Sequence, residues 1–195
     1  MKKTGFLIAA MTVVGLAVIF LSCSKIQDAV DNSALKGRSA QSNSTEGANC
    51  DFNAILTETE IQNLMHMREE EKIARDVYLS FYEKYNMQIF SNIAKSEQRH
   101  MDAVLGLIEG YGLTDPAEGK DIGEFTPDFQ TLYDALIAEG TSLTKALEVG
   151  VKIEEMDIDD LTECLSETET ANIIQVYSNL LAASQNHLKA FTSKL

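Results

Sequence analysis

Proline is scarce in this chain, tryptophan is absent, and basic residues are outnumbered almost two to one. Only Pro116 and Pro127 interrupt 195 residues, so nearly all of the chain is free to be helical. Three cysteines, at 23, 50 and 164, are too few and too scattered for a cysteine-held zinc site. Sixteen Lys and Arg stand against thirty Asp and Glu, a formal net charge of -14. With no basic stripe to offset that acidity, nucleic acid is excluded as a partner; a solvated surface or the attraction of cations fits it. Nowhere do apolar and polar residues alternate long enough to form a strand.

The one long apolar run is at the start. Lys2 and Lys3 precede Phe6–Leu21, and Ser22 and Cys23 follow. Basic, apolar and small-residue regions in that order form a secretory signal over residues 1–22. A cysteine directly after it suggests a bacterial lipoprotein lipidated on Cys23, although Phe20 stands where leucine is usual. A retained transmembrane anchor is the other reading, since a span requires roughly 17–25 residues. Either way the body is exported and membrane-anchored, facing the periplasm or the cell exterior. The stretch 23–50, rich in Ser, Asn, Gly and Ala, reads as the lipid-bearing cysteine and a flexible linker. Residues 51–195 are enough for one domain. Cys50 and Cys164 form an even pair in a compartment where disulfides persist, which leaves a bond between them open.

Helical periodicity fills that domain. Thr57 and Glu60 have capping-box spacing and open a helix that runs to about Tyr85, with Ile61, Leu64, Met67, Ala74, Tyr78, Phe81 and Tyr85 as its stripe. A second helix runs from Gln88 to about Tyr111, where Gly112 stops it. A short helix follows Thr126 and Pro127 and ends at Gly140. The third long helix covers Ser142 to Cys164, with Leu143, Ala146, Leu147, Gly150, Ile158 and Leu161 inward. Ser166–Glu169 recaps the chain for a fourth, which runs to about Ser193. Tyr78, Tyr111 and Tyr177 read as packing, with a redox or hydrogen-bonding role as the alternative for Tyr78. Met65, Met67 and Met101 read as gap-filling core. Short loops make two antiparallel hairpins, and the long connection between them can travel the length of a helix. The expectation is an all-α four-helix bundle with a crossover that contains a short helix; an up-down bundle is the alternative.

Each stripe is broken near its middle by polar residues that stay in phase with it. Glu71 lies seven residues from both Leu64 and Tyr78. Glu97 and His100 interrupt the second helix, Glu154 the third, and His187 the fourth, with Ser184 three residues before it. Heptad offsets return to nearly the same face. A single buried Glu or His finds a hydrogen-bond partner in the core, and Arg75 is available for one. Three glutamates and two histidines on four helices would meet at one level. There the carboxylates would repel and take up protons unless cations join them, and two divalent ions carry +4 against -3. The Glu97-x-x-His100 spacing lets one carboxylate bridge two ions while the imidazole binds one, which suits iron or manganese. Of the run Glu69–Glu70–Glu71, only Glu71 is in phase; Glu69 and Glu70 are read as a solvated face.

"EKIARDVY" (71–78), "SEQRH" (96–100), "ALEVGVKIEE" (146–155) and "SQNHL" (184–188) resemble the ligand-bearing helices of rubrerythrin-like members of the ferritin-like superfamily. More closely, residues 56–191 resemble the bacterial domain of unknown function 2202. The resemblance implies a di-iron carboxylate centre, or a di-manganese one, held by Glu71, Glu97, His100, Glu154 and His187. The implied activity is ferroxidase-type or peroxide-reducing. Metal ions are the implied partners, with a homodimer open. Ser184 stands where the family has a glutamate. Glu155 or Asp157 could supply that carboxylate, though both lie off the best-fitting stripe position; water could fill the place instead, or a metal-poor, catalytically retired scaffold remains the alternative.

Overall fold

The computed structural model describes residues 52–195; the signal, Cys23, the linker and Cys50 lie outside the described residues, and with them the Cys23 lipidation and the Cys50–Cys164 pairing. Thr57 caps the first helix, α1 (Glu58–Tyr85), by the expected reciprocal bonds: its hydroxyl accepts from the Glu60 amide at 3.2 Å, and the Glu60 carboxylate accepts from the Thr57 amide at 2.8 Å. Asn86 ends α1 in a left-handed conformation, φ 49°, and α2 (Gln88–Gly110) starts two residues later, after Met87. Gly112, φ +67°, turns the chain out of α2. A crossover leads to α3 (Pro127–Glu139), and α4 (Leu143–Ser166) and α5 (Ala171–Thr192) complete the described chain. No strand occurs among the described residues, and no helix there is long and apolar enough to cross a membrane.

Cross-helix contacts fix the topology. Arg68 and Arg75 of α1 reach Met101 and Gln98 of α2, so the first pair is antiparallel. Asn63, His66 and Tyr78 meet Glu167, Asp160 and Gly150 in turn, so α4 also runs against α1. Glu97 and Tyr111 of α2 face His187 and Asn172, so α5 runs against α2. Two antiparallel hairpins therefore pack side by side, with α2 and α4 pointing the same way across the bundle. An up-down sequence would make those two antiparallel, so the crossover has carried the chain back along the bundle.

The core divides into two apolar halves. One gathers Val77, Tyr78, Phe81, Phe90, Leu136 and Phe191; the other gathers Leu64, Met67, Val104, Leu107, Leu161 and Leu180. Between them lies the polar level. The expected stripes are buried except at their ends and at one inner place: Ile61 and Tyr85 of α1 are half-buried, Leu143 at the start of α4 is 40 % exposed, and Ile158 is half-buried while Ile153 takes the inward place. Ser166–Glu169 does not cap α5. Thr170 is the N-cap residue, and the Thr168 and Thr170 hydroxyls instead donate to Glu60 of α1 at 2.6 and 2.7 Å.

The solvated-face reading of Glu69 and Glu70 is overturned. Both are buried, at 4 % and 5 % exposure. Crossover residues 111–126 lie along the outer side of α1 and pair with its charges. Arg68 makes a two-pronged bond to Asp115, Glu69 accepts from the Thr126 amide and hydroxyl, and Lys72 bonds Asp76 and the Asp121 carbonyl. Periodicity on α1 alone could not reveal a second covering layer. Arg75 spends its charge on Asp76 and Gln98.

Candidate metal centre

The five residues that break the stripes converge. Glu71 comes from α1, Glu97 and His100 from α2, Glu154 from α4 and His187 from α5. All are buried except His187, whose side chain is 13 % exposed. They form two groups. In one, ligand atoms of Glu71, Glu97 and His100 lie within 4.8 Å of one another; in the other, those of Glu97, Glu154 and His187 do. Glu97 belongs to both. Its Oε2 is 2.7 Å from His100 Nδ1, and its Oε1 is 2.9 Å from His187 Nδ1. His100 Nδ1 also lies 3.1 Å from Glu71 Oε2, and His187 Nδ1 lies 3.5 Å from Glu154 Oε2. The two imidazoles stack with centroids 5.6 Å apart.

These atoms satisfy one another only in part: His100 Nδ1 and Glu71 Oε2 share a hydrogen bond at 3.1 Å. Glu97 Oε1 and His187 Nδ1 are close yet make no hydrogen bond, and Glu71 Oε1, His100 Nε2 and Asp157 Oδ1 are buried without one. Orphaned buried acceptors are costly. Two ligand atoms each about 2.1 Å from a common ion sit roughly 3.0–3.4 Å apart, and the Nδ1-to-carboxylate separations bracket that range.

The family model described as "Uncharacterized protein domain (DUF2202)" matches residues 60–195. The chain belongs to the DUF2202 family. The DUF2202 chain is 48 % identical over 142 residues to the uncharacterised protein MJ0754 of the archaeon Methanocaldococcus jannaschii, covering 72 % of this chain and 77 % of that protein. It also superposes on the crystal structure of the hypothetical protein MJ0754 with a TM-score of 0.72 at 47 % identity, over 73 % of this chain and 82 % of that one.

In this DUF2202 chain the position of Ser184 is resolved by its neighbour. Ser184 is fully buried; its hydroxyl donates to Asp157 and also lies 3.0 Å from the Leu180 carbonyl. Asp157 is 6 % exposed and one helical turn beyond Glu154, whereas Glu155 points to solvent. Asp157 thus adds a buried carboxylate from α4 beside the cluster, outside the two ligand groups. The signal was in the sequence: Glu154-x-x-Asp157 repeats the spacing of Glu97-x-x-His100. Tyr78, also fully buried, donates from its hydroxyl to Glu154 Oε1 at 2.6 Å and so orients that carboxylate.

The electrostatics follow from burial. Burial, with Glu97 adding to it, raises Glu71 to about 7 against the pull of His100. Glu154 rises to about 7 through burial and the Glu97 charge, against His187 and Tyr78. Asp157 is driven well above the carboxylate range by burial and by Glu71 and Glu154. Burial would raise Glu97 too, but His187 and His100 on either side outweigh it and hold its carboxyl far below the usual range. Burial opposes charge on His187, yet Glu97 and Glu154 lift it to about 10; His100 is lifted likewise by Glu71 and Glu97. Protons thus neutralise the cluster wherever a cation does not. With Asp157 counted, four carboxylates carry -4, which two divalent ions would balance.

Proposed function

We propose that this protein is a ferritin-like dinuclear metal protein, with two divalent ions, iron or manganese, held by Glu71, Glu97, His100, Glu154, Asp157 and His187. We further propose that it works outside the cytoplasm, tethered through Cys23, as an oxidoreductase of the ferroxidase or peroxide-reducing kind. The observation that carries the reading is Glu97, whose two oxygens face two different imidazoles at the centre of two overlapping ligand groups. Two antiparallel hairpins joined by a long crossover are also the arrangement of ferritin-type bundles.

The bound ions would supply the redox chemistry; the chain supplies their position, their charge balance and a dry site. Glu97 bridges the two ligand groups. Tyr78 and Ser184 hold Glu154 and Asp157 in place by donated hydrogen bonds. The two apolar halves of the core exclude water from both ends of the polar level. His187, on the half-open side, is the ligand nearest solvent. The scaffold alternative draws on the serine at 184 and on the want of a recognisable substrate pocket in the sequence; Asp157, buried beside Ser184, bears on the first ground alone.

The test is iron content together with dioxygen and peroxide consumption by the full-length chain loaded with Fe(II). The proposal expects bound iron and turnover, both lost in Glu97→Ala. Iron-free protein with no oxygen or peroxide uptake would favour the scaffold.

A further inference from the structure

The chain has three histidines, and the dinuclear centre uses two. The third, His66, sits on the outer side of α1, one turn before Glu70, where the i, i+4 spacing puts both on one face. Asp160 reaches the same point from α4. Ligand atoms of His66, Glu70 and Asp160 lie within 4.8 Å of one another. His66 Nε2 is 3.5 Å from Glu70 Oε2 and 3.4 Å from Asp160 Oδ2.

Three acidic or imidazole groups on a surface are ordinarily a loose ion pair. Glu70 makes this one different. It is only 5 % exposed, and its Oε2, the oxygen turned to His66, is buried and makes no hydrogen bond. A carboxylate oxygen stripped of water without a donor calls for a cation. The His66 contacts are too long to be good hydrogen bonds, whose N–O distance is about 2.9 Å. They are near the roughly 3.4 Å that separates ligand atoms about 2.1 Å from one shared ion. The Phe129 ring of α3 packs against the imidazole with centroids 5.1 Å apart, which limits its rotation. One face of the group stays open, since the His66 and Asp160 side chains are 47 % and 38 % exposed.

We propose that His66, Glu70 and Asp160 form a third metal site, on the outer α1–α4 seam, that takes one divalent first-row transition-metal ion. One nitrogen and two carboxylates suit manganese, iron or zinc, while a hard ion such as Mg²⁺ would leave the imidazole unused. Glu70 adjoins Glu71 in sequence, and Asp160 is one turn beyond Asp157, so the site borders the dinuclear one without sharing a ligand.

The test is equilibrium dialysis of the full-length chain against Mn(II) in excess Mg²⁺, comparing wild type with His66→Ala, Asp160→Asn and Glu97→Ala. The expected result is that His66→Ala and Asp160→Asn each lose one Mn(II) equivalent and keep the rest, while Glu97→Ala keeps the equivalent that His66→Ala loses. Undiminished uptake by both outer variants would overturn this site whatever the inner variant does. Loss in the outer variants with no effect of Glu97→Ala would uphold it and instead defeat the dinuclear reading.

Discussion

Asp157 adds a fourth buried carboxylate to the level of Glu71, Glu97 and Glu154, a charge that the two proposed divalent ions would balance. Its buried charge is disfavoured while protons stand in for metal. Asp157→Asn is therefore expected to leave the melting temperature of the metal-free protein unchanged or raised, while metal content falls; a calorimetric scan of both forms checks this. Ser184→Ala removes the hydroxyl that donates to Asp157 and should cost about 1–3 kcal/mol in denaturant unfolding, the penalty of leaving a buried acceptor unsatisfied. The neighbours add a pH dependence. Glu71 and Glu154 are raised from 4.5 to about 7, and His187 from 6.5 to about 10. Each group holds its proton more tightly in the folded state than in the unfolded chain. Their contributions are complete below the unfolded values and are lost as pH rises through the folded ones. Glu97, shifted the other way, is already ionised in both states above the ordinary glutamate value of 4.5 and is flat across this window. The metal-free protein should thus lose stability progressively from about pH 4.5 to about pH 10, and metal affinity should rise over the same range as protons leave. Thermal melts with and without Mn(II) across that range measure both.

At the scale of the helix, the ends and close approaches decide whether the ligand level lines up. Glu60 closes the α1 capping box and receives the Thr168 and Thr170 hydroxyls, tying the start of α1 to the α4–α5 turn. Glu60→Ala should destabilise the fold on the order of 2 kcal/mol by chemical denaturation, from the lost cap and the unmatched hydroxyls. Gly150 lies one turn before Glu154, where a Cβ would come within 2.7 Å of the Phe191 ring. Gly150→Ala should cost about 1–3 kcal/mol through overpacking, visible as a lowered melting temperature. Heptad phase was enough to place α1, α2, α4 and α5 and the five inward polar residues, because each stripe faces one core. It failed at Glu69, which Lys120 and Thr126 of the crossover cover, and at Glu70, which faces Asp160 of α4. It undervalued Asp157 because its partner, Ser184, is on another helix. The His66 group was only half legible, since the His66–Glu70 spacing lies within α1 but Asp160 and Phe129 come from α4 and α3.

For the whole molecule, the bundle is a greasy frame around a level of charge. Two apolar halves close over six ionisable groups that no lysine or arginine neutralises in the contacts described above. Metal that binds only the folded state adds stability by mass action, about 2.7 kcal/mol at a free concentration of 100 Kd. The most direct measurement is anomalous diffraction at the iron edge from crystals of the Fe(II)-loaded protein. The account predicts two iron peaks inside the bundle, one among Glu71, Glu97 and His100 and one among Glu97, Glu154 and His187, with the Glu97 carboxylate between them. A single interior peak, or none, would contradict it.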